Sequence, residues 1–593
     1  MNKKSLVNLL LEVTRNNDYD EEIIFTKENN SYKGVTRSEI LSKAFHLNDY
    51  FLKIGLKNKN KVAIISENRY EWVITDIACY VSGLITVPIY TSLSPESIKY
   101  ILKDSNTEIC FISNSLQLEK LLSVKNELPG LKYIISYSEL RQDHNVKNIY
   151  SLQNILENKS AYTRPKMLEI LENVNKRVSE SDVLTIIYTS GTTGIPKGVM
   201  LTHKNIFTNV KSYFKILNID NSEIFLSYLP YSHIYERSSG YYFPFFSGSK
   251  IYYAQSIDTI GLQMSEIKPT FVITVPRLLD KMFNKLMRSY EEMPEGFQKK
   301  VFKSALDLAK ERKVKKYSIK WKLANGLVYK KIREKTGGRI KYFVSGGGAL
   351  NKDVGEFFYY IGIVTIEGYG MTETSPVISV NRPDNIKFGT VGQPVDGIKV
   401  RIAEDGEILV KGDIVMKGYY NAPEETANTL INGWLHTGDI GEFDKEGFLK
   451  ITDRKKSLFK SSGGKYIAPA QIEEMLIQLP YIDQILIIGN ERMYVTALIV
   501  PELIELKSLA KNLSISTDDI HSLSKNPVLL KKIEKDIEVI QKHLAPYEKV
   551  RKFSIIEKPF TIETGELTPT LKIKRKFVEE KYKHLIEQMY HKV

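Results

Sequence analysis

Residues 188–198 read YTSGTTGIPKG, a short run dense in groups that hold anions. Gly191, Gly194 and Gly198 allow close backbone approach and unusual backbone angles. Thr189, Ser190, Thr192 and Thr193 add hydroxyl donors, and Lys197 supplies a point charge. The widespread phosphate cradle G-x-x-x-x-G-K-[ST] sets its lysine between a glycine and a cation-binding hydroxyl. Here Pro196 precedes the lysine and Gly198 follows it, which describes a looser anion clamp. Taken alone, a Gly/Thr loop is more often a plain connection.

Other segments add complementary chemistry. In EGYGMTET (367–374), Tyr369 stands between two glycines, so its ring is free to lie against a flat base, and Glu373 suits a hard cation such as Mg2+. SGGGAL (345–350) presents bare backbone at Gly346, Gly347 and Gly348 that can read a base edge. GWLHTGD (433–439) closes on Asp439, a carboxylate suited to a sugar diol, and Arg454 in DRKK offers a second diol or phosphate partner. LTPTLKIKR (567–575) brings Lys572. YLPYSHIYERSSGYYFPFF (228–246) sets His233 among aromatic rings.

These groups need a frame. VAIIS (62–66), ITVPIY (85–90), EICFIS (108–113), YIISY (133–137) and LTIIY (184–188) read as buried strands whose unbroken apolarity suits sheets covered on both faces. SPESIKYILKDS (94–105) has a helix-start signal, and Thr202 is placed to cap a helix whose apolar face is Ile206, Val210, Phe214 and Leu217. The anion clamp therefore leaves a strand end, where α/β sheets bind ligands. Residues 280–336 are helical in period and strongly basic; a solvated helical insertion is the default reading, and contact with an acidic membrane surface the sharper one. From about 390 to 450 short strands alternate with Gly and Asp turns. Past Asp453 the pattern becomes α+β: AQIEEMLIQL as helix, QILIIGN and YVTALIVP as strands, and Leu530, Ile533, Ile537, Ile540 and Leu544 as one helix face.

With 593 residues the chain exceeds any single core, and at 42% hydrophobic and 26% charged it belongs with globular proteins. Its longest apolar candidate, 62–90, is broken by Glu67, Arg69, Glu71 and Asp76, so no bilayer span is expected. The start, MNKKSLVNLLLEVTRNN, is interrupted by Glu12 and reads as an ordinary amphipathic helix, not a signal peptide; Asn2 excludes N-myristoylation. Cys79 and Cys110, both in apolar surroundings, are expected as buried thiols in a reducing compartment. The net charge of +14 favours anionic partners, although the richness in Lys, Asn, Ile and Tyr is also what AT-rich codons specify.

YTSGTTGIPKG, GYGMTE and GWLHTGD in this order resemble the adenylate-forming superfamily of acyl-CoA synthetases, peptide adenylation domains and luciferases, along nearly the whole chain. ITVPRLLDKM (273–282), the helical insertion, SLFKSSGGKYIAP (457–469) and LTPTLKIKR look most like bacterial long-chain fatty acyl-CoA synthetases. The resemblance implies a large multi-layer α/β domain (1–452) with a strand-rich subdomain, and a small mobile α+β lid (453–593) hinged at Asp453. It implies ATP, Mg2+ and coenzyme A, a fatty acid as substrate, a cytoplasmic setting and no nucleic-acid partner.

The same resemblance distributes the roles. Thr189 and Glu373 would bind Mg2+ on the ATP phosphates, and Ser190, Gly191, Thr192, Thr193, Gly194 and Lys197 would hold the β- and γ-phosphates. Tyr369 would stack on adenine, Thr372 would touch the α-phosphate, Asp439 and Arg454 would grip the ribose, and Gly346, Gly347, Gly348, Gly370 and Met371 would belong to the same ATP/AMP site. Lys572 would bridge carboxylate and α-phosphate, His233 would border the acyl pocket, and Gly463 and Gly464 would meet the pantetheine arm. Many relatives carry T-G-K in the last motif; Leu571 replaces that glycine, leaving Lys574 as the fallback. Three rivals share parts of this pattern: an acyl-AMP ligase loading a carrier protein, a P-loop kinase or ATPase, and a non-catalytic nucleotide or lipid binder. The missing G-K-[ST] argues against the second, and the carboxylates with Lys572 against the third.

Overall fold

The computed structural model describes residues 3–140, 148–157, 159–190, 196–310, 318–455, 458–462, 465–516, 519–568 and 572–590. The five apolar runs become strands of one eight-stranded sheet. Its order is Gly418–Tyr419, Pro196–Thr202, Val183–Ser190, Ile85–Ile89, Lys61–Ile65, Ile109–Ile112, Tyr133–Ser136, Ile149–Ser151. Strands from Val183–Ser190 to Ile149–Ser151 run parallel, and Val62 to Ile65 are wholly buried, as a sheet covered on both faces requires. Ser94 caps the helix Pro95–Asp104, accepting from the Ser97 amide at 3.4 Å.

A second, nine-stranded sheet runs Gln393–Pro394, Val377–Val380, Val364–Gly370, Tyr342–Ser345, Phe271–Thr274, Ile224–Ser227, Lys250–Tyr253, Glu22–Glu28, Ser31–Thr36. Its interior is parallel and its edges antiparallel. The strand-rich region forms a five-stranded sheet that includes Ile398–Ile402, Glu407–Gly412, Trp434–Phe443 and Leu449–Arg454.

Two expectations change. The basic stretch is not a solvated appendage: Leu279 and Leu286 of helix Pro276–Glu291, Leu306 of Phe297–Lys310, and Trp321 and Val328 bury themselves against Phe357 and Phe358. Lysines and arginines reach water from helices whose other side is core. The N-terminal helix Leu6–Arg15 is buried almost all round, Asn8 and Thr14 included, so it is a core element and not a surface amphipathic one.

The chain separates into two compact units. The first holds 1–401, 409–436 and 444–449; the second holds 402–408, 437–443 and 450–593. In the second, Ile482–Ile488, Val495–Pro501 and Val550–Ile555 form a three-stranded sheet flanked by helices Pro469–Leu476 and Pro527–Ile540. The latter gives way to a tight turn at Gln541–His543, so Leu544 joins the core from beyond the helix and does not extend its face.

Candidate active site

Strand Val183–Ser190 pairs antiparallel with strand Pro196–Thr202, with Thr189 opposite Lys197 and Ser190 opposite Pro196. Val199 and Leu201 point inward, and a Cβ at Gly198 would stand 2.7 Å from Ile186 Cγ2, so glycine permits the close pairing. Thr189 and Lys197, the two ends of the expected clamp, therefore stand on paired strands. Gly191, Thr192, Thr193 and Gly194 lie outside the described residues.

Thr202 caps the next helix, His203–Ile216, in a reciprocal arrangement with Asn205. Buried Asn209 on that helix donates to the Thr374 and Val377 carbonyls at 3.3 and 3.0 Å, fixing the single turn Thr372–Thr374 that bears Glu373. Glu373 is buried, and its carboxylate accepts from the Tyr419 hydroxyl at 2.8 Å. Burial, and then the Glu373 charge, push the Tyr419 phenol well above its usual range, so it remains a donor. Lys197 Nζ stands 5.5 Å from the centre of the Tyr419 ring and 3.9 Å from Glu425 Oε1. Tyr419 in turn pairs with Val199 of strand Pro196–Thr202. One tyrosine therefore stands between Lys197 and Glu373, two residues expected at the phosphates. Neither Tyr419 nor Asn209 was singled out by the sequence; nothing in YY or NV marks a strut.

Strand Val364–Gly370 carries Tyr369, which is buried, and ends at a bulge. At Gly370 a Cβ would lie 1.9 Å from the Pro376 carbonyl oxygen, so the chain there admits glycine alone. Thr372 is buried, and the Met371 amide donates to the Pro376 carbonyl at 3.0 Å. Gly346 follows strand Tyr342–Ser345 under the Tyr235 ring, where a Cβ would meet Tyr235 Cζ at 2.9 Å. The Tyr235 hydroxyl donates to the Val344 carbonyl at 2.7 Å. Gly347 adopts the left-handed backbone (φ 79°), and Gly348 lies near Pro276.

His233 is half-buried, and its Nδ1 accepts from the Tyr235 amide at 3.1 Å, leaving the proton of a neutral ring on Nε2. The aromatic residues after it are core. Tyr231 and Tyr241 pack on each other and on Trp72, and Tyr242 packs on Tyr241. Wholly buried Arg237 donates to Asp76, to Thr185 Oγ1 at 2.9 Å and to Thr86 Oγ1 at 2.9 Å, and the Tyr242 hydroxyl donates to Asp76 at 2.8 Å. This pins the His233 segment, including the wide helical turns Arg237–Tyr242, onto the eight-stranded sheet. Next to it, burial pushes the Glu236 carboxyl up to about 8, and it meets the Ser227 hydroxyl at 2.6 Å.

The second unit gathers a separate set. Asp439 lies within strand Trp434–Phe443, because the alternation WLHTGDIGEF continues through it. Arg454 Nε donates to Asp439 Oδ1 at 2.8 Å, so the two expected sugar-binding groups are neighbours. Asp453 is buried; its Oδ1 accepts from the Arg454 amide at 2.5 Å, and burial raises its pKa. Lys572 has an exposed side chain and is held by its backbone, its amide donating to Thr568 Oγ1 at 3.0 Å and its carbonyl accepting from the Thr568 amide at 2.8 Å. Three residues on, Arg575 binds Glu473 and donates to the Ile487 carbonyl at 2.9 Å. Lys574 immediately precedes helix Arg575–Lys581. Gly463 and Gly464 lie outside the described residues.

Solved structures share this architecture. An anthranilate CoA ligase in complex with anthranoyl-AMP superposes with a TM-score of 0.74 at 18% identity, covering 99% of both chains. A Mycobacterium tuberculosis fatty acyl CoA synthetase gives 0.63 at 20% identity, over 98% of this chain and 99% of that one. The fold is thus that of the adenylate-forming enzymes. Residues 12–420 match the AMP-binding enzyme family and 457–593 its C-terminal domain, and the chain belongs to that family. Among curated relatives, the long-chain-fatty-acid–CoA ligase FadD15 of Mycobacterium tuberculosis is 32% identical, over 91% of this chain and 90% of its own. The peroxisomal long chain acyl-CoA synthetase 6 of Arabidopsis thaliana is also 32% identical, over 94% and 82%.

Proposed function

We propose that this enzyme condenses a long-chain fatty acid with ATP to an acyl-adenylate and then transfers the acyl group to coenzyme A, releasing AMP. One observation carries the reading: 32% identity along nine-tenths of the chain to a long-chain-fatty-acid–CoA ligase. The pairing of Lys197 and Glu373 through Tyr419 supports it locally.

A carboxylate cannot be displaced by a thiol as oxide; it needs a better leaving group. Its oxygen attacks the α-phosphorus and pyrophosphate departs; the thiol then attacks the acyl carbon and AMP departs with the original carboxylate oxygen. Two anions must meet in the first step, so positioning and charge neutralisation dominate. In this reading the paired strands hold the departing pyrophosphate, with Lys197 as counter-charge, while Tyr369 and Gly346–Gly348 take the adenine. Asp439 and Arg454 take the ribose, and Lys572 neutralises the carboxylate and α-phosphate. The second domain hinges at Asp453, delivering Lys572 for the first step and withdrawing it for the second, when Gly463 and Gly464 meet pantetheine.

Glu373 with the Thr189 hydroxyl fits Mg2+, which takes one or two protein oxygens and completes its shell from phosphate and water. Among the described residues no cluster of three His, Cys, Asp or Glu exists that would hold a metal without substrate. The reaction belongs to the cytoplasm, where buried Cys79 and Cys110 stay reduced. AMP release measured with acids from acetate to oleate tests the assignment, with coenzyme A and with a phosphopantetheinylated carrier protein as alternative acceptors. Preference for long acids and coenzyme A is expected; acylation of the carrier alone, or ADP as product, would overturn it.

A further inference from the structure

Asn68 follows strand Lys61–Ile65 of the eight-stranded sheet and reaches across to the nine-stranded one. Its Nδ2 donates to the Ser227 hydroxyl at 3.1 Å and to the Leu229 carbonyl at 2.7 Å, and its Oδ1 accepts from the Tyr231 amide at 2.8 Å. Ser227, at the end of strand Ile224–Ser227, accepts that bond and donates its own proton to Glu236 Oε1 at 2.6 Å. Glu236 closes the turn Ile234–Glu236, which His233 caps. A Cβ at Gly240 would collide with the Glu236 carboxyl, so glycine one turn on leaves it room. The chain Asn68–Ser227–Glu236 thus runs from one sheet, through a strand end of the other, to the turn bearing His233.

Glu236 is wholly buried, and among the described residues its Oε2 has no hydrogen-bond partner. The neighbouring cations are engaged elsewhere: Arg237 pairs with Asp76, and Arg69 with Glu71. The phenols of Tyr228, Tyr231 and Tyr235, and of Tyr253 on strand Lys250–Tyr253, stand around it; burial pushes all four above their usual range, so they stay neutral. A carboxylate there would be a buried charge with one donor, so the group keeps its proton, on Oε2. Losing that proton would drive the carboxylate toward a second donor and carry the turn along. We propose that Glu236 is a positioning residue for the acyl substrate, holding the turn that presents His233 through Ser227 and Asn68. This rests on the reading that a fatty acid is the substrate and that His233 borders its pocket.

Acid-dependent pyrophosphate exchange with oleate, measured against both oleate and ATP on either side of about pH 8, tests it. In the wild type kcat/KM for the acid should fall above about pH 8, where Glu236 ionises, while KM for ATP stays flat. Glu236→Gln keeps the shape and cannot ionise, so its profile should lose that fall. Oleate titrates alike for both enzymes, so the difference between them reports the side chain; His233 gains charge as pH falls, a limb of the opposite sense. Glu236→Ala should raise KM for the acid about tenfold at unchanged KM for ATP, the scale of one buried hydrogen bond lost. Ser227→Ala removes only a hydroxyl from the same chain, should do the same, and decides if Glu236→Ala does not fold. An alkaline fall retained in full by Glu236→Gln would overturn the proposal. So would equal rises in both KM values, or an acid KM that neither alanine variant moves. Wild-type exchange with no dependence on acid would instead overturn the reading of the reaction, and this assignment with it.

Discussion

Tyr419 links Glu373 to Lys197, and its worth is measurable. Tyr419→Phe removes one donor from the buried Glu373 carboxylate while keeping the ring, a loss on the scale of one hydrogen bond to a charged group. About a tenfold rise in the KM for ATP is expected by steady-state kinetics; an unchanged value would remove Tyr419 from the site. Lys572 is asked for more. Lys572→Ala should slow adenylation about a hundredfold or more, the cost of one preorganised donor, in an acid-dependent pyrophosphate-exchange assay. Near-normal exchange would exclude it. Lys197, Glu373, Asp439 and Lys572 were proposed from the sequence because phosphate, base and sugar chemistry calls for conspicuous residue types. Tyr419 and Asn209 were not, since they position other groups through ordinary tertiary hydrogen bonds that no local spacing records.

Elements show the same division. Apolar strands at 61–65, 85–89 and 109–112 declare themselves by composition, because both faces of their sheet are covered. Strand Pro196–Thr202 was hidden: Pro and two glycines near the clamp read as a loop, while its pairing with Val183–Ser190 is a long-range fact of the folded chain. Glycine need is equally a matter of neighbours. Gly370 sits against the Pro376 carbonyl, and no side-chain rearrangement relieves a backbone atom at 1.9 Å. Gly370→Ala is therefore expected to displace the turn bearing Glu373, seen as a lowered urea midpoint together with lost ATP binding. Native values for both would contradict the assigned contact.

Across the whole molecule, burial of ionisable groups makes stability depend on pH. Glu236 is wholly buried and its carboxyl is pushed up to about 8. The folded protein keeps a proton that the unfolded chain releases above its ordinary carboxylate range. This contribution is complete below about pH 4.5 and declines toward pH 8, at roughly 1.4 kcal/mol per pH unit. Glu236→Gln should flatten the fall in urea midpoint between about pH 5 and about pH 8; an unaltered slope would place the titration elsewhere. Acyl chain length, by contrast, depends on the depth of a pocket, a packing property that no residue type encodes. The central claim, an acid activated on the innermost phosphorus of ATP, is tested most directly by isotope transfer. With a fatty acid labelled with heavy oxygen in its carboxylate, plus ATP, magnesium and coenzyme A, one labelled oxygen per turnover should appear in AMP by mass spectrometry. Label in inorganic phosphate with formation of ADP, or AMP free of label, would contradict it.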